Sequence, residues 1–214
     1  MVKPIGEKEV FKGHHTFVCG MTQNGKTAFT VEKLKQTRQP VLFFNPQHEK
    51  VEGFVLANID HKPSQIIRAL KMGLRVDYRA SLDDEEASWE LYYLVDNLFR
   101  AGFTKQDPII FAIDEVHIQN DYKQGKKALK KVANRGLTFG IHAVFISQRP
   151  ANVPLTIVTQ ADKHYIFKTG LEKEYFTRKG IKYDRVKDLI EQGGEYSYVE
   201  FDGASINGPY KEAL

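Results

Sequence analysis

Thr16-Phe17-Val18-Cys19-Gly20-Met21-Thr22-Gln23-Asn24-Gly25-Lys26-Thr27 decides the reading of this chain. Four residues that read as a short strand run straight into G-x-x-x-x-G-K-T, matched over residues 20–27 without a mismatch. Glycines at 20 and 25 let the backbone wrap closely round an anion, because no Cβ blocks the approach. A helix is expected from near Gly25 to Arg38, since Pro40 disfavours helix at the residue before it. Its positive end and free N–H groups face the same anion. The motif therefore predicts a nucleotide site in which Gly20, Met21, Thr22, Gln23, Asn24 and Gly25 cradle the phosphates of ATP. Lys26 reaches the β- and γ-phosphates, and the Thr27 hydroxyl ligates Mg²⁺. A bare glycine turn with an idle lysine would require neither the strand before it nor the helix after it.

Working outward, apolar stretches alternate with helical patterns along the whole chain, which argues for an α/β fold with a mostly parallel sheet flanked by helices. Val41–Phe44 is a continuous apolar run, as a strand covered on both faces should be. Phe54–Ala57 and Arg75–Tyr78 read as shorter strands, with a helix from a Ser64 cap to Met72 between them. Asp83–Ala101 is the clearest helix: Leu91, Leu94, Val95 and Leu98 share a stripe, four acids load the first turn, and Gly102 ends it. Ile109–Ile113 and His142–Ser147 read as buried strands, with a lysine-rich helix from about Tyr122 to Asn134 between them. Lys163–Lys168 and Glu195–Phe201 look like later strands nearer a sheet edge, and the tail after Gly203 is expected to be irregular. The whole reads as one domain, residues 1–214, with its core over about 14–170 and a strand-and-helix extension over about 171–214.

Ile109–Ile113 ends in Asp114-Glu115, the form of a Walker B strand with a glutamate beside it. Asp114 is placed to hold Mg²⁺ through its water shell, and Glu115 to orient and deprotonate an attacking water. A kinase must instead position an acceptor hydroxyl, so a glutamate beside the metal aspartate favours hydrolysis. At least two strands lie between the phosphate loop and this one in sequence, leaving room for another strand between them in the sheet. That arrangement resembles the P-loop ATPases of the RecA/ASCE-like division, which use a catalytic glutamate.

His142–Ser147 delivers Gln148 to the carboxyl end of a strand, where ligands sit in open α/β sheets. By position alone Gln148 is equally a γ-phosphate sensor and a turn residue before Arg149-Pro150. Ala133 to Pro150, reading A-N-R-G-L-T-F-G-I-H-A-V-F-I-S-Q-R-P, is similar to the arginine–glycine–strand–SQRP stretch of the FtsK/HerA superfamily of DNA translocases. Val41 to Glu49 resembles the strand that follows the phosphate loop there and often reads D-P-x-x-E; Asn45 stands here in place of the acid. The resemblance spans about residues 14–170 in four ordered blocks. It implies a motor that threads double-stranded DNA through a homo-oligomeric ring, usually a hexamer, with nucleotide sites shared between subunits. It implies catalytic roles for Lys26, Glu115 and Gln148, and for Arg135 as the arginine that completes a neighbour's site, with Arg149 as the second candidate. The compact length resembles the genome-packaging ATPases of internal-membrane viruses, which implies capsid or vertex proteins as further partners. A HerA-like cellular translocase, a nucleotide-gated assembly or secretion ATPase and a small-molecule kinase are the alternatives.

Composition narrows the class further. Of the 214 residues, 42% are hydrophobic and 27% charged, the balance of an ordinary globular chain. One cysteine, Cys19, excludes an internal disulfide framework and fits a reducing cytoplasm, where the protein is expected. Met1 to Gly6 carries no apolar run, so no signal peptide is expected, and no stretch approaches the ~20 apolar residues of a membrane span. The net charge of +4 permits a polyanionic partner without demanding one. Lys123, Lys126, Lys127 and Lys130 form a basic helical surface that suits duplex phosphates, with a solvated helix face as the equal alternative. His14 and His15 read as surface residues, and Trp89, Tyr92 and Tyr93 as packing groups.

Overall fold

A computed structural model of the chain describes residues 10–170 and 173–211. Met1 to Gly6 and the last three residues of the tail lie outside the described residues. The first half runs β1 (His15–Cys19), α1 (Lys26–Gln36), β2 (Val41–Phe44), β3 (Val55–Ala57), α2 (Pro63–Lys71), β4 (Arg75–Tyr78), α3 (Asp84–Arg100) and β5 (Ile109–Ile113). The second runs α4 (Val116–Gln119), α5 (Lys123–Arg135), β6 (Ile141–Ser147), α6 (Leu155–Gln160), β7 (Ala161–Phe167), α7 (Lys173–Lys179), α8 (Tyr183–Gly193), β8 (Ser197–Phe201) and β9 (Ile206–Lys211).

The nine strands of the described residues pair into one sheet in the order β3-β4-β2-β5-β6-β1-β7-β8-β9. The pairings from β3 through to β7 are parallel, and β8 and β9 close the far edge antiparallel. Period-2 alternation fills both faces. Phe17, Leu42, Phe44, Phe111 and Phe145 join the core on one side, and Val18, Val41, Phe43, Ile110 and Val144 the core on the other. The larger core packs under α2, α3 and α5 to α8, while α1 covers the smaller one through Phe29 and Leu34. The strand between β1 and β5 is β6, the later glutamine strand, and not one of the two that intervene in sequence. Its register, Phe17↔Phe145 and Ile113↔Phe145, sets the phosphate-loop strand and the acidic strand on either side of it.

The elements differ from their sequence reading where local chemistry is weak. Asp83 caps α3 by accepting from the Glu86 N–H at 2.9 Å, as its acid-rich first turn suggests. The α2 helix starts instead at Pro63: Gln65 reaches back to the Lys62 N–H at 2.8 Å, so Ser64 is not the cap. Residues 206–211 are not irregular but form β9 on the open edge of β8. Trp89, Tyr92 and Tyr93 pack ring on ring, but at the surface: Trp89 and Tyr93 are 40% and 56% exposed.

His15 is likewise no surface residue. It is buried in β1, and its Nδ1 accepts from the Ala143 N–H at 3.0 Å. His164 on β7 is buried against Tyr175 OH (2.8 Å) and Ala161 O (3.1 Å). Burial, then the Lys179 charge, pushes the His164 imidazole down to about 3. A folded-state value below the unfolded one means the unfolded chain binds the extra proton, so this contribution is complete above about pH 6.5 and is lost as pH falls. His164→Gln, which keeps a polar side chain there, is expected to make the fall in unfolding free energy between pH 6 and 4 shallower by about 1 kcal/mol per pH unit. Urea titrations of both proteins across that range check this; parallel pH curves would contradict it.

Candidate active site

Parallel strands put their carboxyl ends at one edge of the sheet, and the predicted motifs all leave from there. Gly20 follows β1, Asn45 follows β2, Asp114 follows β5, Gln148 follows β6 and Lys168 follows β7. Gly20 leaves β1 with φ 157°, and a Cβ there would sit 2.6 Å from the Cβ of Phe167. The loop is tied to its neighbours by Gly20 N–H to Ser147 O (3.3 Å) and Met21 N–H to Lys168 O (2.8 Å). Gln23 and Gly25 are both left-handed (φ 62° and 84°), which turns the chain into the N-terminus of α1.

Lys26 is buried and its Nζ donates to Met21 O at 2.8 Å, closing the loop on itself. Burial lowers its pKa, while the Glu115 and Asp114 charges beside it pull the other way. Thr27 Oγ1 lies 3.4 Å from Asp114 Oδ2, so the two predicted Mg²⁺ ligands face each other. Both are hard oxygen donors, and among the described residues no group of three or more His, Cys, Asp or Glu forms a metal cage. That donor set fits Mg²⁺, which takes one or two protein oxygens and completes its shell with phosphate and water.

Glu115 is buried and left-handed (φ 52°, ψ 43°), an uncommon backbone for a long side chain and one that clusters at functional sites. Gln148 Nε2 donates to Glu115 Oε1, and Gln148 Oε1 accepts from Thr22 Oγ1 at 2.5 Å. The predicted glutamine thus bridges the phosphate loop to the predicted base. Burial, then the Asp114 charge, raises the Glu115 carboxyl to about 7. Burial raises Asp114 too, against the Glu115 N–H that donates to its Oδ1 at 2.8 Å. A carboxylate with a pKa near neutrality, beside a phosphate cradle, can accept a proton from water.

Arg135 is not brought to this edge. It ends α5, exposed, with its guanidinium over the Phe139 ring at 5.4 Å. The seven residues of β6, about 20 Å of strand, separate it from Gln148 of its own chain. Arg149 is exposed at the near edge, beside Gln148. Lys123, Lys126, Lys127 and Lys130 are exposed on α5, with Lys127 also lying over Tyr92 at 5.3 Å, whereas Lys131 is tethered to Asp96 at 3.2 Å.

Three features escaped the sequence reading. Asn45 is a staple: its Nδ2 donates to Asp77 Oδ1 and Glu49 O, both at 2.8 Å, and its Oδ1 accepts from the Glu49 N–H at 3.2 Å. Glu49, fixed by that turn, acts electrostatically on Lys26, Asp114 and Glu115; its place in the D-P-x-x-E block was the available signal. His117, two residues past the acidic pair, reaches back to Glu115. A cavity of about 740 Å³ opens beside the loop, between Thr22–Asn24 and Tyr183, Val186 and Tyr196. Tyr196 is held there left-handed (φ 60°) and 42% exposed, and nothing local in the sequence announces it.

The sheet order, the loop and the acidic pair define a P-loop ATPase fold with a strand inserted between the two motif strands. Among solved structures, this chain is similar to the genome packaging NTPase B204 of Sulfolobus turreted icosahedral virus 2 in complex with AMP. The match has a TM-score of 0.65 and 17% identity, over 91% of this chain and 96% of that one. It is similar also to B204 of Sulfolobus turreted icosahedral virus, a DNA-packaging ATPase, with a TM-score of 0.60 and 15% identity over 94% and 99%. The pCW3 conjugation coupling protein TcpA, solved with ATPγS, matches with a TM-score of 0.57 and 16% identity over 91% of this chain and 59% of that chain. No family model and no curated protein sequence matches the chain.

Proposed function

We propose that this chain hydrolyses ATP to translocate double-stranded DNA, as a viral genome-packaging motor of the FtsK/HerA type acting as one domain within a homo-oligomeric ring. The observation that carries the hydrolase half is the Thr22–Gln148–Glu115 chain, which fixes a buried carboxylate at the mouth of an intact phosphate loop. The translocase half is supported by a fold shared, over nearly the full length of both chains, with B204. No helix among the described residues is long and apolar enough to cross a membrane.

In this reading the amides of residues 20–27 take the β- and γ-phosphates, and Lys26 turns from Met21 O to the γ-phosphate oxygens. Thr27 and Asp114 hold Mg²⁺, which supplies positive charge against the phosphate oxygens. Glu115 accepts a proton from water as the water oxygen bonds to the γ-phosphorus and the bond to the β–γ bridging oxygen breaks, releasing ADP. Gln148 fixes the direction of the Glu115 carboxylate and senses the γ-phosphate through Thr22. The cavity between the loop and α8 is of ligand size and takes the nucleoside, with Tyr183 and Tyr196 as ring partners. Arg135, remote from its own site, serves the site of the next subunit in the ring.

The exposed lysines of α5 follow the acidic strand with only the short α4 between, so nucleotide state can move them against duplex phosphates. Replacing Lys123, Lys126, Lys127 and Lys130 together by alanine should cut the slope of log affinity against log salt by up to about 3–4, at about 0.9 for each lost phosphate contact. Fluorescence anisotropy with a labelled duplex at several salt concentrations reads this. An unchanged slope would remove α5 as the DNA surface.

A further inference from the structure

We propose that His117 is a positioning residue for Glu115, coupling its carboxylate to Ser147 on β6; this rests on the reading of Glu115 as the base. The left-handed turn at Glu115 starts α4, so His117 on its first turn points back at the carboxylate. Gln148 supplies a hydrogen bond to Oε1, while Oε2 is buried and, among the described residues, has no aligned hydrogen-bond partner. His117 Nδ1 lies 3.1 Å from that Oε2 and 3.3 Å from Ser147 Oγ. The contact to Oε2 is close enough for a hydrogen bond but out of line in this geometry, so a small rotation of the ring or the carboxylate completes it.

One imidazole nitrogen cannot serve both partners in the same way. With the proton on Nδ1, His117 donates to Glu115; with the proton on Nε2, Nδ1 accepts from the Ser147 hydroxyl. Ser147 is free to donate, because its Oγ already accepts the Arg149 N–H at 3.1 Å. The His117 side chain is only 11% exposed, so little water competes for either bond. With the proton on Nδ1, both oxygens of Glu115 are held, Oε1 by Gln148, the residue after β6, and Oε2 by His117; with the proton on Nε2, His117 turns to Ser147 and Oε2 is released. A base held at both oxygens presents its lone pair in one direction. Movement of the β6 end then shifts Gln148 directly and, through Ser147, sets which of its two partners His117 takes.

His117→Ala should lower kcat about 10–100-fold, the loss expected when a reacting group drifts by about 1 Å, with the KM for ATP within about twofold. The asparagine amide places a polar atom where Nδ1 stood and the glutamine amide one where Nε2 stood. His117→Asn should therefore recover most of the lost turnover and His117→Gln little of it. Thermal unfolding and binding of a fluorescent ATP analogue establish that each variant is folded; if the alanine variant is not, the asparagine–glutamine contrast decides alone. Wild-type kcat in folded His117→Ala, or equal recovery by Asn and Gln, overturns the proposal. Glu115→Gln run alongside separates the two levels. An inactive Glu115→Gln with a fully active His117→Ala sinks only the positioning role, whereas an active Glu115→Gln sinks the base itself.

Discussion

Replacing Glu115 by glutamine is expected to lower ATP turnover about 10²–10⁴-fold, the usual contribution of a general base, while nucleotide affinity stays within a few-fold of wild type. The glutamine carbonyl can still accept from Gln148 Nε2, so the Thr22–Gln148 bridge and the loop geometry survive the change. What disappears is the ability to take a proton. Steady-state turnover with a parallel titration of a fluorescent ATP analogue separates the two effects. Turnover within threefold of wild type would move the base to Glu49, a carboxylate besides Glu115 and the metal-side Asp114 whose charge acts on Lys26.

Arg135→Ala should cost about 10³-fold or more in kcat if the arginine stabilises charge on the departing phosphoryl group of a neighbour's nucleotide. Loss of its contact with Phe139 removes only a surface cation–π pair, so folding should be little affected. The decisive readout is complementation. Lys26→Ala has a dead loop and an intact arginine; Arg135→Ala has the reverse. Mixed rings pair the good loop of one with the good arginine of the other, so mixing two inactive preparations should restore turnover. A mixture as inactive as its components contradicts action between subunits, and an active Arg135→Ala passes the role to Arg149.

The fold was most legible where strands are covered on both faces. Val41–Phe44 and Ile109–Ile113 cannot be anything but buried, because every residue is apolar and both neighbours in the sheet are themselves covered. Legibility failed at the margins. β9 contains Asn207, Gly208 and Pro209, poor strand residues, and exists because β8 offers unpaired backbone groups. His15 looked solvated because the sequence does not show that β1 begins one residue earlier and that Ala143 N–H needs an acceptor. In the site, Gly20–Thr27 and Asp114-Glu115 could be read because their chemistry demands fixed spacing. The other contributors come from far apart in the chain: Gln148 meets Thr22 across 126 residues, and the cavity at Tyr183 and Tyr196 is closed by the last helix and turn. Such contacts depend on sheet order, and placing β6 between β1 and β5 is what creates them.

ATP turnover by the wild-type protein, titrated with linear duplex DNA at several protein concentrations, bears most directly on a DNA-driven ring ATPase. Turnover per subunit should rise with duplex and with protein concentration, because the sites are shared and the DNA is the load. A rate indifferent to both would contradict it.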